Sequence, residues 1–332
     1  MRAAFHSLLV AGLLAACAGS SPPPAVAQDQ PLEIGSSSLP LKIDEPAARK
    51  VGRLVWRGGV TMTANSRRFG GWSDLHITAD GKRLTSISDE GAWLTATIEY
   101  DGDANLAGLS DARIGQLLAL DGRFIASKPE ADAEAMARLP DGSWLVAFER
   151  NHRLWRYDSL TATPQPVAGP PDIGRQPSNG GIEAMTVLDD GRIVMLSEEY
   201  SRRPGTVAGW IAEPAPGGGY RWSSFDYAEI PDFHPTALTR LPDGSLAVVE
   251  RAFDMARGVR CRVMRFDAAQ LVAGGTVRAE ELARLASPYA VDNLEGLAAT
   301  RGARGETLLW LISDDNFNPL QRNILLLFEL AP

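Results

Sequence analysis

Carboxylates that recur at matching places are the residues of this sequence best equipped for chemistry. Asp74, Glu134 and Glu183 each stand at the start of a short alternating apolar run, and each is followed 15 residues later by a second acid, Asp89, Glu149 or Glu198. Glu295 starts a further run that ends at Asp314 and Asp315, while Glu90, Glu199 and Glu250 stand at comparable strand ends. Acids brought to short range repel one another, and the repulsion is relieved by proton uptake, a paired base or a bound cation. Carboxylate and amide oxygens are hard donors that suit Ca²⁺. The densest cluster is "SDDN" at 313–316 with Asn293 and Glu295 in "DNLEG". The expected ligand set is therefore Asp74, Asp89, Asn293, Glu295, Asp314, Asp315 and Asn316.

Bases interleave with these acids: Arg150 and His152 in "FERNH", Arg202 and Arg203 in "EEYSRR", and Arg251. They can balance the acids without metal, or hold an anionic substrate group. Glu134 and Glu183 are the candidate general bases, with Arg150 and Arg251 to steady an anion. A structural reading competes for each single acid, because strand-end carboxylates also accept backbone N–H groups or pair with an arginine of the next repeat.

The elements that must carry these residues form a repeat. "SDLHITADG" starts at Ser73, "EAMARLPDG" at Glu134, "EAMTVLDDG" at Glu183, "TALTRLPDG" at Thr236 and "EGLAATRGARG" at Glu295, a period of 49 to 61 residues. Four of the turns are Asp-Gly (80–81, 141–142, 190–191, 243–244), a strong hairpin signal. Each hairpin is followed by room for two more strands, and four strands at this period indicate a β-propeller blade. The sequence thus predicts an all-β propeller with five evident units, a degenerate sixth being left open. The last unit lacks a fourth strand, and "RLVWRGGVTMTA" (53–64) is available to supply it and close the ring. A β-sandwich with coincidental hairpins is the competing fold. In a blade the start of the inner strand and the end of the second strand share one rim of the channel, so the acids converge on one mouth.

What is missing narrows the chemistry. There is no G-x-S-x-G, no P-loop, no G-x-G-x-x-G and no H-E-x-x-H. His76 and His234 are isolated, which is weak support for zinc. Trp72, Trp144, Trp155 and Trp310 read as packing between blades, and Gly70-Gly71 and Gly180-Gly181 as sharp turns into inner strands. The 332 residues carry 41 acids against 33 Lys plus Arg, a net charge of −8. That balance disfavours nucleic acid and anionic lipid and suits cations.

"MRAAFHSLLVAGLLAAC" has a charged start and an apolar run of secretory-signal length. Two cuts fit: a lipobox ending at Cys17, which makes 1–16 the signal and Cys17 the lipidated residue, or cleavage after Ala27. Either implies an exported protein, periplasmic or anchored in a bacterial envelope, with a lipid at Cys17 as its one membrane contact. Residues 17–49 then read as tether and N-terminal segment, and 50–332 as the propeller. Cys261 is the only other cysteine, so no internal disulfide remains once Cys17 is modified or removed.

"GGIEAM…DDGRIVMLSEE", "HPTALTRLPDGSLAVVER" and "DNLEGLA…LISDDNFNPLQRNILLLFEL" resemble the bacterial phytase-like domain proteins, also described by an esterase-like activity of phytase. The resemblance covers roughly residue 50 onward. It implies an exported β-propeller and a calcium-dependent hydrolase acting on a small anionic or ester substrate, through phosphoester or carboxylic ester bonds. The sequence has no Asp-Asp-Pro-Ala-x-Trp run and no dense Lys/Arg/His cluster suited to a multiply phosphorylated inositol. A non-catalytic binding propeller and a gluconolactonase-like lactonase are the alternatives.

Overall fold

The computed structural model describes residues 29–331, so the leader, Cys17 and both candidate cleavage points lie outside the described residues. Five antiparallel sheets make five blades. Blade 1 runs Trp72–Ile77, Arg83–Ser88, Ala92–Tyr100 and Leu106–Gln116, and blade 2 runs Ala133–Arg138, Trp144–Phe148, Arg153–Tyr157 and Gln165–Val167. Blade 3 is built from Ile182–Val187, Ile193–Ser197, Thr206–Pro214 and Tyr220–Ala228, and blade 4 from His234–Arg240, Leu246–Asp254, Gly258–Phe266 and Glu280–Ala286. In blade 5 the strands Asn293–Arg301, Thr307–Asp314 and Ile324–Leu330 are completed by Leu54–Ala64, which pairs antiparallel with Ile324–Leu330. The ring is thus closed by a strand from the N-terminal side, and no sixth blade forms among the described residues.

The first-named strands of the five blades pack on one another in a closed cycle, blade 5 returning to blade 1. The second strands are apolar on both faces because they lie between blades. In "IVMLS", Ile193 and Met195 join the cluster shared with blade 2, while Val194 and Leu196 join the one shared with blade 4. Five such clusters fill the five interfaces between successive blades. Trp72, Trp210 and Trp310 are fully buried there, each contributing a large apolar area. The blade 3–4 interface also buries an ion pair: Arg262 and Glu250, each 1% exposed, with Tyr227 donating to the same carboxylate at 2.6 Å.

The sheets extend N-terminally of residue 50. Asp29–Leu32 pairs with Leu106–Gln116 of blade 1, and Ile34–Ser38 pairs with Leu54–Ala64 of blade 5. One short segment therefore straddles the seam where the ring closes. No helix among the described residues is long and apolar enough to cross a membrane.

Candidate functional site

Every inner strand carries a β-bulge, and the five bulges fall at one level of the channel. The residues left unpaired are Ser73, Glu134, Glu183, Thr236 and Glu295, which are the five repeat starts. A bulge re-aims one side chain, and here it does so three times with a glutamate. The residue after the bulge is small in four blades, Ala135, Ala184, Ala237 and Gly296, and is Asp74 in the fifth. One residue past the pair that closes each bulge come Asp89, Glu149, Glu198, Arg251 and Asp314, a second ring above the first.

Eight carboxylates gather here: Asp89, Asp132, Glu134, Glu149, Glu183, Glu198, Glu295 and Asp314. Three cations, Lys128, Arg150 and Arg251, stand among them. Burial pushes Glu134 and Glu183 well above the usual carboxyl range, with Asp132 and Glu149 adding for the first and Glu198 and Glu295 for the second. Burial likewise raises Glu295 to about 8 against the opposing pull of Arg251, and Asp314 to about 7 with Asp89 adding. The mouth thus holds more acids than it has bases to pair with them.

The partners divide these acids into bound and unmatched oxygens. Asp74 is buried with both oxygens used: Leu75 N–H donates at 2.7 Å and Met136 N–H, from blade 2, at 2.8 Å. Asp315 is held similarly, accepting from Gly71 N–H at 3.0 Å, Phe317 N–H at 3.3 Å and Asn323 Nδ2 at 2.8 Å. Asp89 pairs with Lys128, yet its buried Oδ1 has no partner. One oxygen of Glu149 accepts from the N–H groups of both Gly180 and Gly181. Glu183 Oε2 is buried without a hydrogen bond, and no hydrogen bond reaches the Glu134 carboxylate among the described residues.

Arg251 is the hub of the blade 4–5 side. It donates to Asn293 Oδ1 at 2.8 Å and to Glu198 Oε1 at 3.1 Å, and it lies 3.3 Å from Glu295. Its buried Nε has no acceptor. Asn293 in turn donates to Asp314 at 3.3 Å, and Asp314 accepts from Asn316 N–H at 2.6 Å. Asn316 itself is exposed at positive φ. Arg150 is turned to Asp132. Arg202 and Arg203 are engaged elsewhere in blade 3, on Asp172 and Asp226.

Of the expected metal ligands, Asn293, Glu295 and Asp314 are thus joined in one network with Arg251, while Asp74 and Asp315 serve the backbone. The carboxylates whose oxygens lie within 4.8 Å of one another, the one such group among the described residues, are Asp132, Glu134 and Glu149. All three offer hard oxygen donors that could hold a metal ion; Glu134 has no other partner, while Lys128 and Arg150 already pair with Asp132 and two backbone N–H groups with Glu149. Asp132 and its partner Lys128 lie before the inner strand, outside the recurring pattern of strand-start and strand-end acids. The available signal was a second acid two residues before Glu134 in "ADAEAM". Glu250 differs from its neighbours: the register puts Arg251 in the ring and turns Glu250 into the blade interface.

A family model described as phytase-like, esterase-like activity of phytase, matches residues 67–317. No curated protein matches the sequence. An α-L-arabinofuranosidase from Podospora anserina, solved with cellotriose, is similar over 85% of this chain and 98% of its own at 12% identity, with a TM-score of 0.51. A gluconolactonase from Xanthomonas campestris is similar over 91% and 96% at 12% identity, with a TM-score of 0.41. Likeness at these identities bears on fold alone.

Proposed function

The chain belongs to the phytase-like family described by esterase-like activity of phytase, and from that premise we propose a calcium-dependent hydrolase of phosphoester or carboxylic ester bonds, working at the acidic channel mouth. The observation that carries this reading is the pair of bulge glutamates. Glu134 and Glu183 hold equivalent register positions in neighbouring blades; no hydrogen bond reaches half-buried Glu134, and the buried Oε2 of Glu183 has no donor. A buried, unpaired carboxylate costs stability, and its retention is explained by use.

Asp132, Glu134 and Glu149 would hold the cation. Calcium bound there supplies polarisation of a phosphoryl or carbonyl oxygen. Glu183 is the general base: its Oε2 carries no hydrogen bond that would compete for a proton, and burial raises its affinity for one above the ordinary carboxyl range. Arg251, already fixed by Glu198, Glu295 and Asn293, presents its unpartnered Nε–H to an anionic oxygen. Lys128 and Arg150 keep Asp132 in place. The leader and Cys17 are taken to deliver the protein to the cell envelope, where calcium sites of modest affinity fill readily.

The test is hydrolysis of an aryl phosphate and an aryl acetate by the mature protein, with calcium and after chelation. Turnover that needs calcium and drops at least ~100-fold in Glu183→Gln is expected. Undiminished turnover in chelator or in that variant would remove the reading. Calcium-raised melting without turnover of either ester would put a non-catalytic binding propeller in its place.

A further inference from the structure

Blade 4 breaks the symmetry of the mouth. In blades 2 and 3 the second strand stops at the level of the acid ring, at Phe148 and Ser197. In blade 4 the pairing continues four residues beyond the equivalent Glu250, through Arg251↔Cys261 to Asp254↔Gly258. At ~3.3 Å per residue this hairpin rises about 13 Å above the level at which the others end. It carries Phe253 into solvent, 61% exposed. Across from it stands the blade 5 loop at 315–323, which carries Leu320, 89% exposed.

That loop is built firmly rather than left loose. Asn318 N–H donates to Asp315 C=O at 2.7 Å, Gln321 N–H to Asn318 C=O at 2.9 Å, and Ser313 Oγ to Arg322 C=O at 2.6 Å. Arg322 pairs with Asp292 at 3.2 Å. Between hairpin and loop lies a cleft of about 640 Å³, lined by Phe253, Val259, Val291 and Leu320 and reaching Arg251 and Asn293 at its inner end. Val259 and Val291 pack on the blade 4–5 core. The cleft therefore runs from an apolar floor into the charged ring, and its size is that of a site for one small molecule.

We infer that this cleft seats a single alkyl or aryl group of an amphipathic substrate whose anionic or ester head reaches Arg251 at the acid ring. Continuity decides the occupant: the same Arg251 and Asn293 belong to both the cleft and the acid ring, so a ligand lying on Val259 and Val291 points its head at the reacting centre. Charge agrees, because the buried Nε of Arg251 lacks an acceptor while the surrounding acids would repel a multiply charged anion. The substrate class is thus an ester with one apolar arm and few charges. As a statement about substrate, the inference rests on the hydrolase reading; as a statement about binding, it stands apart from turnover.

The experiment is calorimetric titration of the calcium-loaded mature protein with methylphosphonate and octylphosphonate, neither of which can be hydrolysed as an ester. Each methylene removed from water is worth roughly a fourfold gain in affinity when fully buried. Octylphosphonate is expected to bind at least ~10-fold more tightly, allowing for partial burial. The exposed positions allow Phe253→Ser and Leu320→Ser without disturbing the fold, and both together should abolish the preference while leaving methylphosphonate binding unchanged. Equal affinities, or a preference that survives both substitutions, would overturn the inference. So would a concentration-dependent dimer that those substitutions dissolve, since the patch would then belong to a second copy of the chain. A chain-length preference lost in the double variant, without turnover of any ester, would remove the hydrolase reading and leave the cleft standing.

Discussion

Glu183 and Glu134 share a register position but are expected to answer differently to removal of charge. Glu183→Gln removes the base and leaves the cation set intact, so calcium affinity should hold while turnover collapses. Glu134→Gln removes the one carboxylate of the cation set that has no other partner, so calcium affinity itself should fall by 10-fold or more, read by calorimetry. The raised carboxyls also set a pH dependence. Glu295, at about 8, and Asp314, at about 7, bind protons in the folded protein where the unfolded chain has released them. Folding then takes up protons between the ordinary carboxyl range and pH 8, so this contribution to stability is complete at low pH and lost as pH rises through 7 to 8. The chelated protein should melt several degrees lower at pH 8.5 than at pH 5.5, and calcium should narrow the gap. A midpoint that rises with pH over that window would contradict the reading of the mouth as under-neutralised.

At the scale of the strand and its turn, Asp74 is expected to be structural. It spans two inner strands through two backbone N–H groups, and Asp74→Ala leaves both donors buried and unpaired. At ~1–3 kcal/mol each, the variant should lose about 2–6 kcal/mol in denaturant unfolding while its calcium affinity is unchanged. Retained stability with lost calcium binding would return Asp74 to the ligand set. The repeat that revealed the blades was legible because each unit has a polar or acidic entry, a short alternating strand and a second strand ending in acids, and because Asp-Gly turns mark four of the hairpins. Even the closing strand at 53–64 could be read from a unit that lacked one. Register was not legible. "SDL" offers its acid one residue later than "EAM" or "EGL", and "VVER" offers an acid and a base in adjacent places. A strand alternates faces residue by residue, so only pairing partners decide that Ser73 and Arg251 belong to the rings and that Asp74 and Glu250 serve blade interfaces. Asp132 was hidden for another reason: it precedes the strand, held by Lys128 from a one-turn helix, Lys128–Ala131, and no periodicity marks such a place.

At the scale of the whole ring, five wedges meet at a seam that one strand must close. Leu54–Ala64 buries Leu54, Trp56, Val60 and Met62, none more than 8% exposed. At ~1.5–3 kcal/mol for each large apolar side chain, their loss amounts to roughly 6–12 kcal/mol, comparable to the ~5–15 kcal/mol by which domains are stable at all. It would also bare the strand Ile324–Leu330, buried from Ile324 to Phe328, as a hydrophobic edge, which invites aggregation. The segment Asp29–Leu32 and Ile34–Ser38 is a different matter. It is mostly exposed and only adds a fifth strand to blades 1 and 5, so it reinforces a seam already closed. A chain beginning at Leu39 should therefore remain a folded monomer with a modestly lower melting point and intact calcium binding. A chain beginning at Asn65 should be unfolded or aggregated, and a separate peptide of residues 29–64 should restore cooperative melting when the two are refolded together. The geometry of the mouth depends on this closure, because Glu295 and Asp314 come from blade 5 and face Asp89 and Glu134 of blades 1 and 2 only when the ring is complete. A monomeric, cooperatively melting chain beginning at Asn65 would show that four blades and three strands of the fifth suffice, and that the acid ring is held without the closing strand.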